Sequence, residues 1–204
     1  MLGMLEKFNT NSVNEYYQDY MGYLFNISKK IDVNKLDNII DCFFEAYNED
    51  KTIFFVGNGG SAATASHFCE DLAEVGRKLG KKIFKCISLT DNTSYITAVA
   101  NDYGYDQVFT KQLEGIFSKG DVLISITASG NSPNVLSAID YVNKNKGQTI
   151  GFLGFNGGKA NESCDISLIA KTNQGEYGPV EDLHMIWVHL ITTFLYFKLK
   201  ASEV

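Results

Sequence analysis

The sequence has no CxxC pair, no basic stripe, no apolar run long enough to span a membrane, and only three histidines. Each absence removes a class of function. Cys42, Cys69, Cys86 and Cys164 are scattered, so neither a zinc-finger framework nor a disulfide-stapled fold is indicated, and reduced thiols are expected. Eighteen basic residues against twenty-four acidic ones leave a formal net charge of -6, without aromatic-basic alternation, so direct nucleic-acid binding is not expected. A regulator of the DNA-reading helix-turn-helix kind is not expected either. The lack of long apolar runs argues against membrane insertion. The opening MLGMLEKFNTNS carries acidic and polar residues within its first dozen and lacks the apolar centre of a signal peptide, so a cytoplasmic location is expected.

What is present suits one folded domain: 204 residues, 45% of them apolar. Residues 1–50 read as two helices. Val13, Tyr16, Tyr17, Tyr20, Leu24 and Ile27 recur at mostly helical intervals, with Ser12 as cap and Glu15 as its capping-box partner, and a second periodic stretch runs from Val33 to Asn48. This aromatic surface suits contact with another subunit or packing on the sheet.

Residues 51–204 read as an α/β core organised around Phe54 to Asp71, FFVGNGGSAATASHFCED. A buried strand leads into Gly57, Asn58, Gly59 and Gly60, and then Ser61 and small residues begin a helix whose first amides lack intrahelical partners. Such a start favours an anion, phosphate first. The turn departs from the dinucleotide fingerprint because no acid follows at the ribose-binding spacing, and from a Walker loop because no Lys-Ser/Thr follows. His67 and Asp71 lie four residues apart on one helical face, where they can hold a metal or move protons.

Four more strands follow, at about Ile83–Leu89, Asp121–Thr127, Thr149–Leu153 and Asp165–Ala170. The third strand of the five runs into Thr127-Ala128-Ser129-Gly130-Asn131-Ser132-Pro133, a second bend, with Ser132 as N-cap and Pro133 at the first helical position. In an open α/β sheet two such bends converge on one ligand, and Thr127, Ser129 and Ser132 are its hydroxyl donors. A short helix is expected over Tyr95–Ala100, a loop over Asn101-Asp102-Tyr103-Gly104, and a helix over Asp106–Phe117. The last helix, about Val180–Lys200, carries Glu181, His184 and His189. Glu181 and His189 stand about 12 Å apart along its axis, too far for one metal ion unless the helix bends.

GNGGSAATASH at Gly57–His67, TASGNSPNV at Thr127–Val135 and EDLHMIWVH at Glu181–His189 together resemble the sugar isomerase (SIS) domain family, and within it the phosphoheptose isomerases. The resemblance implies a single SIS domain over 1–204: a three-layer, doubly wound, five-stranded parallel sheet with two N-terminal helices, assembled as a homotetramer with sites between subunits. It implies isomerisation of sedoheptulose 7-phosphate to D-glycero-D-manno-heptose 7-phosphate by an enediol mechanism, for lipopolysaccharide or capsule synthesis, with one zinc ion per subunit.

By position, Asn58, Gly59, Gly60, Ser61, Asn101, Asp102, Thr127, Ala128, Ser129, Ser132 and Glu181 match substrate contacts. Asp71 and His189 match the acid-base pair, and His67, Asp71, Glu181 and His189 the metal ligands. Asp71 stands where the isomerases carry glutamate, and Glu181 where they carry glutamine. These departures leave a second reading open, a sugar-phosphate-binding protein that acts through a partner.

Overall fold

The computed structural model describes residues 7–202. It opens on helices α1 (Val13–Ser28) and α2 (Val33–Asn48), both capped by side chains: Ser12 accepts from the Glu15 amide at 3.3 Å and Asp32 from the Asn34 amide at 3.1 Å. The expected capping box is half formed. Glu15 takes the Thr10 hydroxyl instead, and Thr10 Oγ1 in turn accepts from the Ser12 amide at 3.1 Å.

Five strands follow, β1 (Thr52–Gly57), β2 (Lys85–Ser88), β3 (Val122–Thr127), β4 (Gln148–Gly154) and β5 (Ile166–Ala170). They form one wholly parallel sheet in the order β2-β1-β3-β4-β5, the doubly wound arrangement expected. β2 is shorter than the apolar run suggested. It lies at an edge and pairs only with β1, from Thr52↔Lys85 to Phe55↔Ser88, so Ile83 and Phe84 come before the start of β1 and have no ladder to join.

The remaining helices are α3 (Gly60–Lys78), α4 (Thr93–Tyr103), α5 (Thr110–Ile116), α6 (Pro133–Lys144), the single turn α7 (Ala160–Ser163) and α8 (Tyr177–Ala201). Alternate strand residues divide between two cores, as a pleated sheet covered on both faces requires. Ile53, Phe55, Ile124 and Phe152 join the layer of α1, α2, α3 and α8, while Phe54, Val56, Leu123 and Leu153 join that of α4, α5 and α6. Phe68 ties the first layer together, with ring centroids 5.8 Å from Phe43, 5.2 Å from Phe55 and 5.7 Å from Phe152. Because Phe68 follows His67, the core also fixes where that imidazole stands.

Two expectations are corrected. α4 continues through Asn101, Asp102 and Tyr103, where a loop is expected from the sequence; Asn92 caps its start and Gly104, at φ +96°, ends it. The single helix expected over Asp106–Phe117 is a 3-10 turn, Tyr105–Gln107, followed by α5.

His184 lies wholly inside the first core, its Nε2 3.1 Å from the Leu153 carbonyl oxygen. That oxygen only accepts, so Nε2 carries the hydrogen and Nδ1 is left without a partner. Burial drives the imidazole down from its ordinary 6.5 to about 4, against the smaller opposing effect of the Leu153 bond. The unfolded chain therefore binds the proton more readily. Stability from this group is complete above pH 6.5 and is lost as pH falls toward 4, by roughly 3 kcal/mol. Denaturant melts at pH 7 and 4.5 are expected to show His184→Gln losing less on acidification than the parent by about that amount.

Candidate active site

The order of strands reverses between β1 and β3, and the turns leaving these two strands meet there. They are bonded to each other, the Asn58 and Asn134 side-chain amides pairing at 2.9 and 2.8 Å. Between them lies a polar hollow of about 150 Å³, lined by Asn58, Ser61, Ile126, Thr127, Ala128, Ser129, Ser132, Tyr177 and Glu181. None of these is Lys or Arg. An anion here is met by hydroxyls, amides and the N-terminal ends of α3 and α6.

Local geometry keeps those groups open. Ser132 holds the N-cap position of α6 with Pro133 behind it, as expected, yet its hydroxyl makes no cap bond and lies 3.5 Å from Thr127 Oγ1 at the hollow. Thr127 Oγ1 accepts from the Gly130 amide at 3.2 Å, which curls the turn. Gly130 has φ +63°, and a Cβ there would stand 1.9 Å from the Gly157 carbonyl oxygen, so the loop after β4 braces the turn only because this residue is glycine.

Glu181 enters from α8. Its carboxylate lies over the start of α3, where a Cβ on Gly60 would stand 2.7 Å from Oε2. Burial pushes this carboxyl above the ordinary range, and the Asp182 charge beside it pushes the same way. α1 and the stretch before it hold the segment down: Tyr20 donates to Asp182, and Tyr23 and, ahead of the helix, Lys7 both donate to the buried Glu176, Lys7 at 3.1 Å. Part of the N-terminal aromatic surface is thus spent within the chain. Val13, Tyr17, Met21 and Phe25 stay exposed.

Further along α3 and α8, His67, Asp71 and His189 converge. His67 Nε2 is 3.2 Å from Asp71 Oδ2 and 3.2 Å from His189 Nε2, and His189 Nε2 is 3.9 Å from Asp71 Oδ2. Three lone-pair-bearing atoms this close need a shared proton or a cation among them. Zinc ligands at 2.0–2.1 Å in a tetrahedron stand roughly 3.3 Å apart, and two imidazoles with one carboxylate form a set zinc accepts, so the group fits a divalent ion of that kind. The structure leaves Glu181 out of this set. It remains at the first hollow, as the eight-residue separation on α8 dictates. Asp71 and His189 instead line a second hollow of about 440 Å³, with Val75, Thr192, Tyr196 and Phe197.

Asn101 and Asp102 are exposed at the end of α4, bonded to each other at 2.8 Å, and are not among the lining residues of either hollow. The chain reaches the site just beyond them, where Tyr105 donates to Asn58 Oδ1 at 2.9 Å. Tyr105, Asn134 and Tyr177 were not foreseen. Asn134 lies within the TASGNSPNV stretch, but its burial is seen only in the fold. Tyr105 carried no signal of its own.

Residues 15–154 match the SIS domain family. The chain is 38% identical over 177 residues to the phosphoheptose isomerase of Aliarcobacter butzleri, covering 85% of this chain and 92% of that one. It is 40% identical over 152 residues to the phosphoheptose isomerase of Nitratiruptor sp., covering 74% and 79%. The solved phosphoheptose isomerase of Neisseria gonorrhoeae superposes with a TM-score of 0.79 at 27% identity, over 90% of this chain and 98% of that one. The chain belongs to the phosphoheptose isomerase family of SIS-domain proteins.

In this SIS-domain isomerase the three sequence motifs fall at the three places that build the two hollows: the turn after β1, the turn after β3, and the face of α8 that meets α3. α8 joins the two turns to the imidazole-carboxylate group. Glu181 stands at one end of that span and His189 at the other, about 12 Å apart along the helix.

Proposed function

We propose that this protein isomerises sedoheptulose 7-phosphate to D-glycero-D-manno-heptose 7-phosphate, with the phosphate at the Thr127–Ser132 turn and the carbonyl end of the sugar at Asp71 and His189. The observation that carries this reading is the spacing on α8, along which Glu181, at the hollow between the two turns, and His189, in the proton-moving group, stand about 12 Å apart. An extended six- or seven-carbon phosphosugar spans such a gap, whereas a triose phosphate does not.

The chemistry needs two titratable groups flanking C1 and C2. A base takes a proton from C1 of the ketose while O2 gains one, giving the enediol. The proton then returns to C2, and O1 gives up its own to form the aldehyde. Asp71 is suited to the carbon proton and His189 to the oxygen protons, with His67 holding both in register through its 3.2 Å contacts. A zinc-class ion held by His67, Asp71 and His189 would polarise the sugar's C1 and C2 oxygens. Asn58 and Ser61 contribute donors toward the sugar hydroxyls, and Ser129 and Ser132 toward the phosphate.

The exposed apolar stripe of Ile186, Leu190, Phe194 and Phe197 on α8 flanks His189 and supports assembly into the homotetramer the resemblance implies, with sites between copies. The test of function is turnover in deuterated water. Metal-loaded protein is expected to convert sedoheptulose 7-phosphate to the aldose with deuterium at C2. Tight phosphosugar binding without solvent hydrogen exchange would replace the isomerase by a sugar-phosphate-binding protein.

A further inference from the structure

We propose that Tyr105 and Asn134 are positioning residues that hold the Asn58 amide as a donor-only group aimed at a substrate oxygen; this rests on, and sharpens, the isomerase reading. The two ends of an asparagine amide are nearly alike in shape, so which end faces a ligand is decided by the bonds around it. Here those bonds form a chain with only one solution.

It starts at the backbone. The Val135 amide donates at 3.0 Å to the Asn134 side chain, and since an NH2 group cannot accept, the Asn134 atom there is Oδ1. Asn134 is 1% exposed, so water offers no alternative arrangement. Its Nδ2 then points at Asn58 and donates at 2.8 Å, which makes the receiving atom of Asn58 its Oδ1. Asn58 Nδ2 returns a bond to Asn134 Oδ1 at 2.9 Å. Tyr105 closes the set by donating its hydroxyl to the same Asn58 Oδ1 at 2.9 Å.

The valences can now be counted. An amide oxygen has two lone pairs, and both on Asn58 are taken, one by Asn134 and one by Tyr105. Its nitrogen has two hydrogens, and one is taken. What remains at the edge of the polar hollow is a single N–H. Asn58 can therefore donate to a hydroxyl, carbonyl or phosphate oxygen and cannot accept from a sugar hydroxyl. Asn134 alone leaves the second lone pair of Asn58 free, so the tyrosine hydroxyl completes the assignment. It also ties the segment after α4, which starts at Gly104, to the turn after β1.

Tyr105 is the informative position for a test, because the residue is 57% exposed and Tyr105→Phe removes only the hydroxyl. One neutral hydrogen bond corresponds to about a fivefold change, so kcat/KM for sedoheptulose 7-phosphate is expected to fall about fivefold with no change in thermal midpoint. In an Asn58→Ala background the same substitution is expected to cost nothing further, because its only target is gone. An unchanged kcat/KM, or the same loss in both backgrounds, overturns the proposal. Asn134→Asp puts a carboxylate oxygen against Asn58 Oδ1 and is expected to cost more, although its burial makes the tyrosine variant the decisive one. A second readout needs no substrate: the Asn58 side-chain NH2 signals in a nitrogen-15 spectrum are expected to shift and exchange faster with solvent in Tyr105→Phe. If the parent fails to turn over the sugar, the isomerase reading falls on that result, and unaltered Asn58 signals in Tyr105→Phe separately overturn the positioning role.

Discussion

Replacing His189 by alanine is expected to lower turnover of sedoheptulose 7-phosphate about 1,000-fold while leaving its affinity within about threefold. General acid-base groups contribute on the order of 100- to 10,000-fold, and His189 is far enough along α8 from the anion-binding turns to affect the reaction without affecting the grip. The fold should not suffer, since the imidazole is exposed and its contacts are to His67 and Asp71. Steady-state kinetics give the turnover, and calorimetry with the same sugar gives the affinity. Equal losses in both would mean that the phosphosugar is held by the imidazole-carboxylate group and that the division of labour along α8 is wrong. Turnover unchanged by the substitution would remove His189 from the chemistry altogether.

The second large effect concerns Glu181. This carboxylate lines the hollow assigned to phosphate, where no Lys or Arg offsets it, and Glu181→Gln is expected to tighten binding of the phosphosugar about tenfold at pH 8. The sign follows from its titration. Burial, then Asp182, raises the carboxyl pKa, so lowering the pH neutralises Glu181 earlier than an exposed glutamate and relieves its repulsion of the ligand. The advantage of the glutamine variant should therefore shrink as pH falls through that raised range. A variant that binds more weakly than the parent at every pH would show Glu181 to be an attractive contact, for instance through a sugar hydroxyl that donates to it.

The parts of this site that could be read from sequence are those whose geometry is set within one turn of chain. Gly57 to Gly60 announce an open helix start, the hydroxyls of Thr127, Ser129 and Ser132 announce a second one, and the four-residue spacing of His67 and Asp71 places both on one face. Even the exclusion of Glu181 from the metal-binding group was present in the eight-residue separation from His189. What the sequence could not disclose are contacts made across the sheet. Asn58 and Asn134 are 76 residues apart and meet only because β1 and β3 are neighbours at the point where strand order reverses. Tyr105 was hidden for a related reason: Asn101 and Asp102 read as turn formers, whereas Asn92 and Gly104 extend α4 past them and deliver the tyrosine to Asn58. The edge strand β2 is shorter than its apolar run because that run is set by packing, while its ladder starts only where β1 starts, at Thr52 opposite Lys85.

The pairing of the two turns through Asn58 and Asn134 makes the proposed phosphate grip a single preformed unit, and α8 runs from it to the group of His67, Asp71 and His189. The most direct measurement is a crystal structure of the protein with sedoheptulose 7-phosphate bound. The phosphorus is expected within hydrogen-bonding reach of Ser129 and Ser132, with C1 and C2 of the same molecule beside Asp71 and His189. Phosphate seated in the hollow of Val75 and Tyr196, or a sugar whose C1 end points away from the imidazole pair, would contradict it.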